Sequence, residues 1–184
     1  MRPHGWTPHR DALGPADQPQ GGGSQARVWR AGPHEAETVA ALLVAFRDSL
    51  GYDWPSDNSF LAGVEKLLDD VQTDFLLGAP HGDAPPAAVA QLRFRHGLWR
   101  AGGDCLIEDV YVEPAARRAG LGQAIVAFAL QRALERGCRR AELDVNEANR
   151  AALALYDGFG FAVKNPHGGR DLYLRLHLDA PDEL

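Results

Sequence analysis

The stretch from Leu106 to Val145 constrains the fold more than any other part of this chain. Leu106 to Val112 is apolar on both faces apart from Glu108 and Asp109, the pattern of a central strand covered on both sides. Pro114 then turns the chain, a short basic Gly-rich loop follows, and Leu121 to Arg136 sets Leu121, Ile125 and Phe128 on one stripe ahead of Gly137. That is an amphipathic helix with a glycine stop. Arg140 to Val145 reads as a second strand. Strand, loop, helix, strand requires a crossover, so the two strands are expected to pair in parallel with a right-handed connection.

The remaining elements group around this unit. Arg27 to Arg30 reads as a short strand, and His34 to Leu50 as a helix with Val39, Leu42, Leu43 and Phe46 at helical spacing and Gly51 as its stop. A loop covers residues 52 to 57, and a second helix is expected from Phe60 to Asp70 with Leu61, Val64, Leu67 and Leu68 inward. Asp74 to Leu77 and Ala88 to Phe94 predict an antiparallel hairpin with one wet face. Asn149 can cap a short helix to Asp157, ended by Gly158, and Phe161 to Lys164 and Asp171 to Leu178 predict closing strands. Residues 1 to about 25 have no apolar period and end in Gly21, Gly22, Gly23 and Ser24, which reads as a flexible tail before a domain over 26–184. Trp6 in that tail has no assigned role, and His4 and His9 read as solvated polar residues.

Composition removes several function classes. A chain of 184 residues is enough for one α/β domain with a full core. Its two cysteines, Cys105 and Cys138, lie in no CxxC or Cys/His cluster, so no metal site and no disulfide framework is expected. No apolar run nears the roughly 20 residues of a membrane span, and the N-terminus lacks a signal-peptide core. A soluble, cytoplasmic protein is therefore expected, with no membrane partner. A net charge of -6 argues against nucleic acid but leaves room for one small anion at a local basic patch.

Such a patch is Arg117, Arg118, Ala119, Gly120, Leu121, Gly122, Gln123. The first amides of a helix have no carbonyl partner, the helix dipole favours an anion by up to ~1 to 2 kcal/mol, and glycines let phosphate oxygens approach the backbone. The two arginines can add contacts from the rim. A plain strand-to-helix turn would look the same. Neither GxxxxGK[ST] nor a dinucleotide GxGxxG is present in its proper context.

The pattern Arg117-x-x-Gly120-x-Gly122 resembles the [Gln/Arg]-x-x-Gly-x-[Gly/Ala] coenzyme A signature of the GNAT superfamily of N-acetyltransferases. It follows Ile107 to Pro114, similar to that family's central strand and turn. It precedes Asn149 to Phe161, similar to the Asn-x-x-Ala-x-x-Leu-Tyr-x-x-x-Gly-Phe segment. The resemblance covers about residues 26 to 178, and Arg118 stands where the family's loops often have Gly. It implies an α/β (mixed α+β) single domain. Its central sheet would be mixed and mostly antiparallel, of six to seven strands with one splayed parallel pair, flanked by about four helices.

The resemblance further implies acetyl-CoA as co-substrate and no metal. Pantetheine would enter a wedge where the strands ending near Val112 and Val145 splay, bonding backbone around Val110, Tyr111 and Val112. Asn149 and Tyr156 lie seven positions apart, two helical turns, so both would point from one helix face toward that slot. Asn149 would touch the pantetheine arm, Tyr156 would protonate the leaving sulfur, and the Val110 amide would support the oxyanion. Glu108 is the candidate base, with a partly buried carboxylate whose alternative role is a salt bridge to Arg93 or Arg95, and Asp109 is the fallback.

The acceptor expected is a small cationic amine. Asp53 and Trp54, in the loop that corresponds to the family's variable lid, suit one through charge and cation-π contact, and the Glu108-Asp109 pair is similar to that of diamine acetyltransferases. A silent acetyl-CoA-binding sensor is the competing class of function, and homodimers are frequent among proteins of this kind.

Overall fold

The structure, a computed structural model, describes residues 25–164 and 168–170. They fall into two compact units divided between Leu143 and Asp144.

In the first unit a five-stranded sheet runs in the order β1 (Arg27–Arg30), β2 (Thr73–Ala79), β3 (Ala88–Gly97), β4 (Gly102–Val112), β5 (Cys138–Glu142). Neighbours are antiparallel except β4 and β5, which pair in parallel as the crossover requires. Three helices belong to it: α1 (Ala36–Ser49, after a 3-10 turn at Pro33–Glu35), α2 (Asp57–Leu68) and α3 (Leu121–Glu135). Helix α2 starts three residues before the expected Phe60, because Ser56 caps it by accepting the Ser59 amide at 3.2 Å. Gly51 and Gly137 stop α1 and α3 with positive φ of 78° and 73°.

The hairpin does not have its predicted wet face. All of β2 is buried, and so are both faces of Ala88–Leu92 in β3. Helices α1 and α2 cover one face, where Val39, Leu42, Leu43 and Val64 pack with Phe75, Leu77, Val89 and Tyr111. Helix α3 covers the other, and a Cβ added at Gly78 would lie 3.0 Å from Leu121 Cδ1. Alternation in β3 is thus a pattern of two buried layers.

Helix α3 is fastened through a buried carboxylate. Asp74 of β2, with 0% side-chain exposure, accepts Arg132 Nη2 at 2.9 Å and Nε at 3.2 Å on Oδ2. Arg136 lies 3.6 Å from Oδ1, and Arg30 Nε lies 2.8 Å from it but out of hydrogen-bond alignment. Two guanidiniums from the C-terminal end of α3 and one from β1 therefore converge on a single charge that burial would otherwise penalise. Cys105 and Cys138 are both buried thiols, and burial pushes Cys105 up to about 12.

The second unit holds α4 (Arg150–Gly158). Asn149 caps it by accepting the Ala152 amide at 3.2 Å. Gly158 is the last helical residue, Phe159 forms the C-cap and Gly160 takes the positive φ of 87°, so the stop falls two residues later than expected. Among the described residues, the predicted strand at Phe161 to Lys164 shows one antiparallel bridge, between Lys164 and Arg170. The predicted strand Asp171 to Leu178 and the N-terminal tail through Ser24 lie outside the described residues. No helix among the described residues is long and apolar enough to cross a membrane.

Candidate functional site

Strand β5 ends at Glu142, three residues short of the expected Val145, and its last pairing with β4 is Leu106 to Glu142. Strand β4 continues to Val112. Beyond Leu106 it is paired to β3 on one side, while on the other side β5 has stopped. The Glu113 amide donates to Ala87 O at 2.9 Å, toward β3. Backbone groups alternate sides along an antiparallel ladder, so Tyr111 also faces β3, and Val110 and Val112 present theirs to the open side. Tyr111 therefore turns its backbone away from the strip, and its ring stacks on Phe46 at 5.4 Å in the core.

The two acidic residues of β4 sit on an irregularity invisible in the sequence. Gln91 pairs with Asp109 and Leu92 with Ile107, so Glu108 is an extra residue and two β4 residues stand opposite one. Glu108 is exposed, with 43% of its side chain accessible, and is not the partly buried carboxylate expected. The bulge frees it from the covered face. Its Oε2 accepts from Gln91 Nε2 at 2.9 Å and lies 3.9 Å from Arg93 Nη1. Arg95 is engaged elsewhere, with Glu142 and Asp104. Gln91, itself only 7% exposed, is a contributor that sequence reasoning missed; a polar residue in an apolar run was its one signal.

Past β4 a 3-10 turn over Pro114–Ala116 leads into the basic loop. Arg118 has φ 64° and Gly120 has φ 80°, two left-handed residues in succession around Ala119. Gly120 is the N-cap of α3 and, having no side chain, leaves the first helical amides uncapped, and a Cβ there would meet nothing within 4 Å. Arg117, Arg118, Ala119, Gly120 and Gln123 are exposed, Gly122 is half-buried and Leu121 is a core anchor under the loop. The Arg117 side chain does not point out along the rim: its Nε donates to Val112 O at 2.9 Å.

Between α1 and α2, Asp53 and Trp54 are exposed, Trp54 at 78%, with Tyr52 beside them at 64%. Arg47 holds the base of this loop by donating to Pro55 O at 2.6 Å and Asp57 Oδ1 at 2.9 Å. In the second unit, the Asn149 side chain turns back on its own helix as the cap, so it does not project from the helix face with Tyr156. Tyr156 packs edge-on to Phe161 at 5.8 Å. Burial first, and then the Asp144 carboxylate, pushes its phenol up, so it keeps its proton at neutral pH.

The sequence profile of the acetyltransferase (GNAT) family matches residues 39–161. A thialysine N-epsilon-acetyltransferase of Bos taurus is 32% identical over 46% of this chain and 51% of its own length. A mycothiol acetyltransferase of Salinispora tropica is 42% identical over 77% of this chain and 40% of its own. The chain thus spans about half the length, or less, of these curated relatives. Among solved structures, a protein of Arthrobacter sp. FB24 assigned to the acetyltransferases superposes with a TM-score of 0.76 at 29% identity, over 86% of this chain and all of that one.

Proposed function

The chain belongs to the acetyltransferase (GNAT) family, and from that premise we propose that it moves an acetyl group from acetyl-CoA to the primary amine of a small cationic acceptor. The observation that carries this reading is the strip of β4 backbone that β5 leaves open beyond Leu106, followed after one 3-10 turn by a left-handed glycine and a helix start.

The residues fit the coenzyme. An extended pantetheine arm carries amides that can bond an unpaired strand edge as an added strand would. The Val110 N–H and C=O and the Val112 N–H are the groups for it. A diphosphate requires amides it can approach, and the loop and first turn Arg118, Ala119, Gly120, Leu121, Gly122 and Gln123 supply them, with no side chain at Gly120 or Gly122 to stand in the way. Asn149, its Oδ1 used in capping, offers Nδ2 to the arm. Bound acetyl-CoA supplies an activated carbonyl and a thiolate leaving group.

The chain's own groups divide the remaining work. Glu108, exposed on its bulge and held by Gln91, takes a proton from the acceptor ammonium directly or through water. The Val110 amide is the donor for a carbonyl oxygen gaining negative charge. Tyr156 holds its proton until sulfur departs, which its raised phenol favours. Asp53, Trp54 and Asp109 supply negative charge and an aromatic face to the acceptor's cation. A relative that acetylates the ε-nitrogen of thialysine supports an amine of this kind.

The test is thiol release from acetyl-CoA in the presence of polyamine, aminoglycoside, amino-acid and peptide amines, with the product identified by mass. Turnover with a polyamine or another small cationic amine is expected. Coenzyme binding without thiol release for any of them would replace the enzyme with a silent sensor.

A further inference from the structure

The side chain of Arg117 is spent on the protein. Its Nε donates to the carbonyl of Val112, at 2.9 Å, and that carbonyl is one of the few backbone groups turned to the open side of β4. The loop is anchored at its two ends by the buried side chains of Ala116 and Leu121, and the stretch between them is exposed. The Arg117 amide makes only a long 3.4 Å bond to Pro114 O, and Arg118 is held at φ 64°, a conformation that L side chains disfavour. Gly120, two residues on, is left-handed as well. A loop built this way relaxes unless something ties it down.

We propose that Arg117 is a positioning residue: it staples the loop to the end of β4 by a hydrogen bond that needs a donor and not a charge. The proposal rests on the coenzyme reading above. Two things follow from the staple. It fixes the amides of residues 118 to 123 in a common direction, which a loose loop would not. It also consumes the Val112 carbonyl, so the strip open to an added extended chain ends there, and the stretch beyond belongs to the loop amides. The charge of Arg117 contributes little by comparison, because the residue is exposed and an exposed ion pair is screened by water.

Calorimetry with coenzyme A on the full chain and on Arg117→Met and Arg117→Gln separates donor from charge. Gln is neutral but keeps an N–H within reach of Val112 O, whereas Met has the bulk and no donor. Arg117→Met is expected to weaken coenzyme A by roughly tenfold or more, and Arg117→Gln to recover most of that loss, to within about threefold of wild type. Raising ionic strength from about 0.05 to about 0.5 M should weaken all three proteins by the same factor, since screening acts on charges in contact. Without ligand, amide exchange at residues 118 to 123 should speed up in the Met variant alone. A Gln variant as weak as Met, or a Met variant with a shallower salt dependence than wild type, overturns the staple and leaves the coenzyme site standing. A wild-type protein that binds no coenzyme A overturns the functional reading instead, and the ligand-free exchange still judges the staple.

Discussion

Replacing Asp74 by Asn removes one charge from the centre of the α3 anchor, and its cost can be worked out from the contacts. Arg132 makes two bonds to Oδ2, at 2.9 and 3.2 Å, and a hydrogen bond to a charged group contributes about 1.5–3 kcal/mol. Breaking a fully buried ion pair costs about 3–5 kcal/mol. The arginines here are not fully buried: Arg132 and Arg136 keep 23% and 27% side-chain exposure and retain Glu135 and Val71 O as partners. They can turn to water, and Asn keeps one acceptor, so about 2–3 kcal/mol is expected. With a urea slope of about 1–3 kcal/mol per molar, the midpoint should fall by roughly 1–2 M at constant slope. Adding Arg132→Met should then cost about 1–2 kcal/mol less than the two single changes together. A loss below about 0.5 kcal/mol for Asp74→Asn, or strict additivity in the double variant, would show that the carboxylate does not anchor α3.

Tyr156→Phe should lower turnover at least tenfold, by about 1.4 kcal/mol or more in the barrier, with coenzyme affinity little changed. Because the phenol is raised from 10.0, the wild-type rate should lose its proton donor only above that pH; an alkaline limb well below it would exclude Tyr156 as the acid. Gly120→Ala should cost about 1–2 kcal/mol from the left-handed backbone alone, since a Cβ there meets nothing, and chemical denaturation would read the loss. Cys105 should resist alkylation in the native state at pH 8, because burial holds the thiol protonated. Its folded value of about 12 lies above the ordinary 9.0 of a free thiol, so its contribution to stability is complete below pH 9.0 and is lost as pH rises toward 12. Rapid labelling of the native chain at pH 8 would contradict this.

The sequence carried the crossover unit, the four helices and the position of the basic loop, because apolar period, Gly stops and the Asn149 cap are local signals, whereas the Ser56 cap of α2 went unread. Burial of β3 was not legible: whether Val89 and Gln91 face water depends on which helices return to cover them, and those, Ala36–Ser49 and Asp57–Leu68, lie before β2 in the chain. The environment of Glu108 failed for a different reason. A bulge is a property of two strands in register, and neither strand alone contains it. The Arg117 contact failed likewise, since residue type shows that a guanidinium is present but not whether it reaches forward to a ligand or back to a carbonyl.

The extra residue at Glu108 also inverts the phase of the strand that carries it. Before it, Ile107 shares a face with Leu92 and Asp74 on the α3 side; after it, Tyr111 shares a face with Val89 and Leu77 on the α1 side. Odd-numbered residues thus serve both helical layers from one strand. Deleting either Glu108 or Asp109 would leave a single residue opposite Gln91, with Ile107 still opposite Leu92 and Tyr111 still opposite Val89, so both halves would keep their layers in a regular ladder. Core packing therefore does not require the extra residue; what the irregularity adds is a second carboxylate at one register position, with Glu108 turned outward.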